Sequence, residues 1–307
     1  MITRYFRTLK DSELKVVEAT RSGVWVHVVD PSEVELDELA TELGLEREIL
    51  DDARDFFEVP RLERSGNATY FFTRYLSDDT DEDTDTAPLL IVMGETFVLT
   101  IALHPVPQFE RFMTGREVVH TTQKTKLFIQ IMQAVTRSFE RQLITLRRLV
   151  HRDRAKLRKI GNREIVRFVS YENRLNDMVA AVMPTNTALQ QVMNGHFMPV
   201  YEDDRELMDD LRIDNAQVVE SARSLLKTIQ NVRNAAEAIL ANTLNNRIKT
   251  LTVLTILLTI PTIVFSFFGM NVMLPLAHTN WAVMLVLIIT GAIVLGALVW
   301  FKKNEWL

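Results

Sequence analysis

The sequence predicts an α/β domain that is followed by long helices and then by two transmembrane helices. Three observations indicate this arrangement. Short β-branched segments alternate with helix signals in the first third of the chain, and a long segment rich in Arg, Leu, Gln and Glu follows. Between Thr250 and Phe301 the chain has no Asp, Glu, Lys or Arg. About twenty apolar residues cross a hydrocarbon core about 30 Å thick, and this last region holds two such runs.

Composition excludes several classes of protein. The 307 residues suffice for one large or two modest domains. The formal net charge of -5 argues against a nucleic-acid binder, which usually carries a basic face. Because the chain has no cysteine, disulfides and thiolate metal sites are excluded. Residues 1–20 are charged throughout, so we expect no cleaved signal peptide.

Residues 1–115 are predicted to form a cytosolic α/β domain. The segment Gly23 to Val29 is β-branched and bounded by turn formers, which is typical of a strand. Ser32 and Glu35 form a capping box that opens a helix, and Gly44 would close it. Further strands are predicted at residues 69–76, 89–93 and 96–102.

An acidic run at residues 78–85 separates two of these predicted strands. It is too acidic to pack in a core, so one interpretation is a solvated hairpin loop. The other is that the run concentrates cations electrostatically.

Two helical regions follow. From about residue 121 to 193 the chain has no strand signal and no proline except Pro184, so residues 116–198 are predicted to form a pair of long antiparallel cytosolic helices. In residues 199–268 the segment from Asp203 onwards has no Gly and a single proline, Pro261. As one helix it would be about 100 Å long, at about 1.5 Å per residue. Most of it would therefore project into the cytosol as a stalk before it crosses the membrane.

One face of this second region carries small polar residues at alternating three- and four-residue steps, the period of about 3.5 that is typical of packed helices. Two interpretations of its threonines are open. Their hydroxyls bond to the i-4 carbonyl or across a helix interface, or they line a pore built from several copies of the helix. The continuation of the face into asparagines favours the pore. This face, the polar stripe, consists of Asn231, Asn234, Ala238, Ala241, Asn245, Ile248, Thr252, Thr255, Thr259 and Thr262.

The apolar runs at residues 250–268 and 281–301 are predicted to be transmembrane helices with both termini in the cytosol. Basic residues flank only the outer ends of the pair. They are Arg247, Lys249, Lys302 and Lys303. By the positive-inside rule the link 269–280 is extracellular and the tail 302–307 is cytosolic. We therefore expect a multi-pass protein of the cell membrane that contacts the lipid bilayer.

The link begins with Gly269, Met270 and Asn271. Glycine permits a tight helix ending, and the Asn amide is a neutral acceptor that can hydrogen-bond a water shell. Mg²⁺ gives up its waters reluctantly. A ring of amide oxygens would therefore suit a selectivity filter that grips the hydrated ion.

At these residues the chain resembles the CorA family of magnesium channels, over its whole length. The resemblance rests on Gly269-Met270-Asn271, on the two C-terminal spans, and on the basic ending Lys302 to Leu307 with its Trp-Leu pair. The segment Asn245 to Thr252 is also similar to the family's pore entry. The resemblance implies a funnel-shaped homopentamer with an α/β/α N-terminal domain. Its ion would be a divalent cation, above all Mg²⁺, and it would need no organic cofactor.

The resemblance also implies a role for each residue of the conduction path. Asn271, with Gly269 and Met270, would form the selectivity filter. Ile248 and Leu251 would form a hydrophobic gate that can close by dewetting. The pore-lining residues would be Asn245, Thr252, Thr255, Thr259 and Thr262.

Members of this family sense cytosolic Mg²⁺ through carboxylates between neighbouring subunits. Counting back from Asn271 without gaps places Asp210 at one such position; Asp52 falls at the other, where Asp51 or Asp55 could substitute. The alternative for Asp210 is a solvated charge near a helix start. Bound Mg²⁺ would bridge subunits and hold the pore shut, and its loss would let carboxylate repulsion open it.

The link departs from the family in one respect that bears on the identity of the ion. Residues 272–278 contain no carboxylate, whereas magnesium-selective members often have an acidic residue there. Co²⁺, Ni²⁺ and Zn²⁺ are therefore alternatives to Mg²⁺. His278 is either a solvated loop residue or a soft metal ligand.

Three rival functions are distinguishable from a passive channel. A proton-coupled carrier, as proposed for the zinc-transporting branch, needs an ionisable relay in the bilayer, and residues 250–301 contain no Asp, Glu, Lys or Arg. A membrane-anchored coiled-coil scaffold would have no use for aligned threonines. An enzyme is not expected, because the sequence has no Gly-rich phosphate loop, nucleophile elbow or His-rich metal motif.

Overall fold

The computed structural model describes residues 1–77, 86–155, 162–195, 197, 201–270, 281–304 and 306. The chain divides into two compact units, Met1–Val232 and Arg233–Leu307. The sheet and most of the helices belong to the first unit, and both candidate membrane-spanning segments belong to the second.

The first unit is built around a seven-stranded sheet. Its strands are β1 (Ile2–Phe6), β2 (Lys15–Val16), β3 (Val24–Val29), β4 (Arg61–Ser65), β5 (Ala68–Leu76), β6 (Thr86–Met93) and β7 (Phe97–Ala102). Their order across the sheet is β2-β1-β3-β7-β6-β5-β4. The central pair, β3 and β7, is parallel, and the remaining neighbours are antiparallel.

The described helices follow the chain in a simple order. They are α1 (Glu33–Leu43), α2 (Arg47–Asp52), α3 (Glu110–Met113), α4 (Lys124–Arg154), α5 (Asn162–Met193), α6 (Glu202–Phe268) and α7 (Ala282–Lys303), with a 3-10 turn at Pro107–Phe109 before α3. The predicted pair of long helices is α4 and α5, and the predicted uninterrupted helix is α6, with 67 residues.

Helices cover both faces of the sheet. Val24, Val26 and Val28 of β3 belong to one buried cluster with residues of α1 and α2. Trp25 belongs to a second cluster with Phe128 and other residues of α4 and α5. Successive side chains of a strand point to opposite faces, so alternate residues of β3 belong to the two buried clusters. The implied α/β/α arrangement is confirmed.

Local signals predicted the first helix and its ends correctly. The Glu35 amide donates to the Ser32 hydroxyl at 3.2 Å, and the Ser32 amide donates to the Glu35 carboxylate at 2.9 Å. Gly44 follows α1 with a φ of 64°, in the left-handed region that favours glycine. The capping box and the glycine ending are confirmed.

The strands β1, β2 and β4 and the helix α2 were not predicted, because each is short. In addition, β1 and β4 mix polar with apolar residues, since they lie towards the two edges of the sheet. The acidic run at residues 78–85 lies outside the described residues. The strands that flank it pair antiparallel, with Leu76 opposite Thr86.

The second unit contains two helical segments that are long and apolar enough to cross a membrane. The most apolar windows of α6 and α7 have mean hydropathies of 2.2 and 2.7, and 6% of each window is buried within the chain. Buried positions in the described part of this unit are few: Ala236, Val253, Thr290 and Phe301. Both predicted C-terminal spans therefore lie in helices whose length and composition suit a membrane-spanning segment.

Candidate functional site

The four threonines of the polar stripe share one hydrogen-bonding pattern: each hydroxyl donates to the backbone carbonyl four residues earlier. The oxygen-to-oxygen distances are 2.9 Å for Thr252 to Ile248, 2.9 Å for Thr255 to Leu251, 2.8 Å for Thr259 to Thr255 and 2.8 Å for Thr262 to Leu258. Thr252 is half-buried in the chain, and the other three are exposed. The hydrogen of each hydroxyl is therefore used in a bond to its own helix, as the back-bonding interpretation predicts.

Back-bonding leaves the oxygens usable as a pore wall. A hydroxyl has one donor hydrogen and two acceptor lone pairs. Because the hydrogen is used inside the helix, each oxygen presents only lone pairs to its surroundings. Such a surface accepts hydrogen bonds from the water shell of a cation and has no donor for an anion. The two interpretations of the threonines are thus compatible.

The candidate pore entry precedes these threonines on α6. Asn245 is exposed, and the apolar side chains of Ile248 and Leu251 are 53% and 63% exposed. Large exposed apolar surfaces mark contacts with membranes or with other protein chains. These residues therefore suit a surface that is covered by lipid or by another protein chain.

The helix ends immediately before the predicted filter. The Gly269 amide donates to the Phe265 carbonyl at 2.9 Å, and a β-carbon at Gly269 would lie 3.2 Å from that oxygen. A larger residue here would require a small shift of that backbone. Met270 follows and is 54% exposed. Asn271, and the rest of the link to residue 280, lie outside the described residues.

The three candidate carboxylates around the end of α2 have different partners. Asp51 pairs with Arg47 at 2.6 Å, and Asp52 pairs with Arg61 at 2.6 Å. The Asp55 carboxylate accepts a backbone amide two residues further on at 2.9 Å. A metal ion at Asp52 would therefore meet a carboxylate that already has a cationic partner.

Arg61, which contacts three carboxylates at this site, was not among the predicted site residues. Its guanidinium pairs with Asp52 and Glu58 and lies 3.6 Å from Glu63. Its Cζ atom is 4.0 Å from the centre of the Phe72 ring. The Pro60-Arg61-Leu62-Glu63 motif is visible in the sequence, but its pairing with a carboxylate nine residues earlier depends on where the fold places β4.

Asp210 lies near the start of α6 and is exposed. Its neighbour Asp209 pairs with Arg212 at 2.9 Å. In the described part of the chain, no group of three or more His, Cys, Asp or Glu residues is arranged to hold a metal ion. Neither Asp52 nor Asp210 therefore has a complete set of protein ligands within this part of the single chain.

These features define a membrane protein with a large α/β unit and two C-terminal apolar spans. A sequence model of the family described as CorA-like Mg²⁺ transporter protein matches residues 21–303, most of the chain. The chain belongs to this family. It is therefore a transporter of divalent metal cations.

Relatives and solved structures agree with this assignment. The cobalt/magnesium transport protein CorA of Methanocaldococcus jannaschii is 21% identical over 291 residues, which are 92% of this chain and 91% of the relative. The complete structure of the CorA magnesium transporter from that organism matches with a TM-score of 0.88 at 18% identity, over 100% of this chain and 99% of the other. The full-length CmaX protein matches with a TM-score of 0.76 at 14% identity, over 99% and 96%. At these identities the structural matches establish the fold.

Proposed function

We propose that the protein is a channel for divalent cations, principally Mg²⁺, in which several copies of α6 surround a central passage. The observation that carries the proposal is the polar stripe. Its back-bonded threonines present acceptor lone pairs on a helix that is long and apolar enough to span a membrane. Family membership supports divalent-cation transport, and the M. jannaschii relative is named for cobalt and magnesium.

The proposed assembly is a homopentamer in the cell membrane, with both termini in the cytosol. Asn271 closes the outer end of the passage as a filter for the hydrated ion, with Gly269 and Met270 beside it. Further in, the ion passes rings of Thr262, Thr259, Thr255 and Thr252. The constriction at Ile248 and Leu251 stops flux when it dewets, and Asn245 forms the cytosolic entry.

The proposed driving force is the membrane potential. A potential of 100 mV is worth about 2.3 kcal/mol per elementary charge, and hence about 4.6 kcal/mol for a divalent cation. Residues 250–301 contain no Asp, Glu, Lys or Arg that could relay protons. A channel needs no such relay, whereas a proton-coupled carrier does.

The proposed regulation uses Asp52 and Asp210 as ligands for Mg²⁺ between neighbouring subunits. A divalent cation bound there would offset the repulsion between the acidic surfaces and favour the closed state. Mg²⁺ usually keeps several waters and takes one or two carboxylates, so one carboxylate from each of two chains suffices. Exposure of both carboxylates in the single chain supports this arrangement.

The decisive experiment is ion uptake by purified protein in liposomes. Mg²⁺, Co²⁺, Ni²⁺ and Zn²⁺ are compared under an imposed potential, under a pH gradient alone, and in protein-free liposomes. We expect the potential to drive Mg²⁺ uptake and the pH gradient to have no effect. Uptake of Zn²⁺ that requires the pH gradient would contradict the proposal and support a zinc carrier, for which the missing carboxylate in residues 272–278 is the favouring observation.

A further inference from the structure

Arg61 lies at the centre of a small acidic cluster in the first unit. Its guanidinium pairs with Glu58 and, at 2.6 Å, with Asp52, and it lies 3.6 Å from Glu63. One positive charge thus faces three negative ones, and the cluster keeps a net negative charge. This net charge attracts a further cation, but the Asp52 carboxylate is already paired with Arg61.

The guanidinium is held by packing as well as by charge. Its Cζ atom lies 4.0 Å from the centre of the Phe72 ring, and Phe72 is buried. The Glu58 side chain is 14% exposed, whereas Asp52 keeps 46% of its side-chain surface exposed. Partly buried pairs are screened less by water and salt than exposed ones. Arg61 therefore pairs with a carboxylate that keeps part of its surface open to solvent.

We propose that Arg61 competes with the divalent cation for Asp52 and so sets the concentration at which the regulatory site fills. This inference rests on the proposed regulatory role of Asp52. A metal ion at Asp52 either displaces the guanidinium or binds beside it, and in the second case the two positive charges repel. Both routes weaken metal binding relative to an unpaired carboxylate.

Displacement is feasible because Arg61 has other partners. When the guanidinium leaves Asp52 it still contacts Glu58 and the Phe72 ring, so its charge stays paired.

The test compares Arg61→Gln with Arg47→Gln in the full-length protein. Arg47 is a matched control, because it holds the neighbouring Asp51 at the same distance of 2.6 Å. The Mg²⁺ midpoint is measured by protection against limited proteolysis, and independently by inhibition of flux in liposomes. We expect Arg61→Gln to lower the midpoint about fivefold, the scale of one partly exposed ion pair, and Arg47→Gln to leave it within about twofold.

Two further variants keep the test decisive. Arg61→Lys retains the charge but loses the planar fork, so its midpoint should fall between those of the wild type and Arg61→Gln. If Arg61→Gln does not fold, as judged by thermal unfolding, a lowered midpoint in Arg61→Lys supports the competition. Asp52→Asn tests the underlying site, and we expect it to remove most of the Mg²⁺ response.

The unfavourable outcomes separate the inference from the function on which it rests. An unchanged midpoint in folded Arg61 variants, while Asp52→Asn has lost its response, overturns the competition alone. A lowered midpoint in Arg47→Gln but not in Arg61→Gln assigns the ligand to Asp51 and overturns it as well. An unchanged Mg²⁺ response in Asp52→Asn overturns the regulatory role of Asp52, and the competition with it.

Discussion

The two units of the chain differ in how far their apolar side chains are buried. In the first unit, large side chains such as Trp25, Phe71 and Phe128 are at most 1% exposed. In the second, Leu258 and Ile288 are 63% and 62% exposed. Burial of apolar surface is the main force that stabilises a folded domain in water. The first unit therefore contains its own source of stability, whereas the second needs lipid and other protein chains to cover its helices.

Threonines show the same contrast on the scale of single hydrogen bonds. In the first unit Thr100 is fully buried, and its hydroxyl oxygen lies 3.0 Å from Trp25 Nε1 and 2.9 Å from His27 Nδ1. In the second unit the stripe threonines, such as Thr255, bond only within their own helix among the described residues. The Thr100 hydroxyl joins two strands of the sheet, whereas the lone pairs of the stripe hydroxyls remain available to a partner outside the chain.

The largest expected effect comes from closing the proposed passage. Replacing Thr255 and Thr262 together by Leu should abolish Mg²⁺ flux, because a leucine wall repels water and the hydrated ion. Thr250→Leu is the matched control: this threonine back-bonds to Asn246 at 2.9 Å in the same way but lies off the polar stripe. Potential-driven uptake in liposomes measures the effect. Normal flux in the double variant would contradict the assignment of these two threonines to the wall of the passage.

The next effect tests whether the first unit is stabilised by its own core. Phe128 is fully buried, and its ring lies 5.1 Å from that of Phe71. Phe128→Ala should lower the free energy of unfolding of this unit by about 3–5 kcal/mol, since it removes apolar contacts and leaves a cavity. Leu258→Ala, in the exposed part of α6, should leave that free energy unchanged. Hydrogen exchange of the sheet amides in detergent measures both. Equal effects of the two variants would contradict the comparison.

A third prediction concerns pH. Burial lowers the pKa of His27 from its usual 6.5 to about 4. Because the unfolded chain binds the proton first, the first unit should lose stability as the pH falls from about 6.5 towards 4, by up to about 3 kcal/mol. Above pH 6.5 this contribution is fully present. Urea unfolding between pH 4 and 7 measures the slope, which should decrease in His27→Gln. An equal slope in that variant would assign it to other groups.

The smallest effect tests a purely local signal. Ser32→Ala removes the hydroxyl that accepts the Glu35 amide at 3.2 Å, and should cost about 1 kcal/mol. Thr41→Ala is the control, because the Thr41 hydroxyl only bonds back to the Asp37 carbonyl at 2.9 Å within α1. Urea unfolding of the two variants gives the difference. If Thr41→Ala lowered the free energy of unfolding as much as Ser32→Ala, the cap would stabilise the helix no more than an ordinary hydroxyl within α1.

The sequence by itself determined the elements whose causes are local or periodic. The capping box at Ser32, the β-branched strand at residues 24–29, the long helices and the two apolar runs were all predicted, because their signals lie within one segment. The stripe of threonines follows from spacing along a single helix in the same way. These features needed no knowledge of which segments meet.

Only the tertiary structure decided the features that join distant segments. The strands β1 and β4 lack a strong sequence pattern, and they form because neighbouring strands supply their hydrogen bonds. The pairing of Arg61 with Asp52 likewise depends on the position of β4, and no local sequence pattern predicts it. Partners of this kind are brought together by the fold, because hydrogen bonds and ion pairs depend on distance in space and not on distance along the chain.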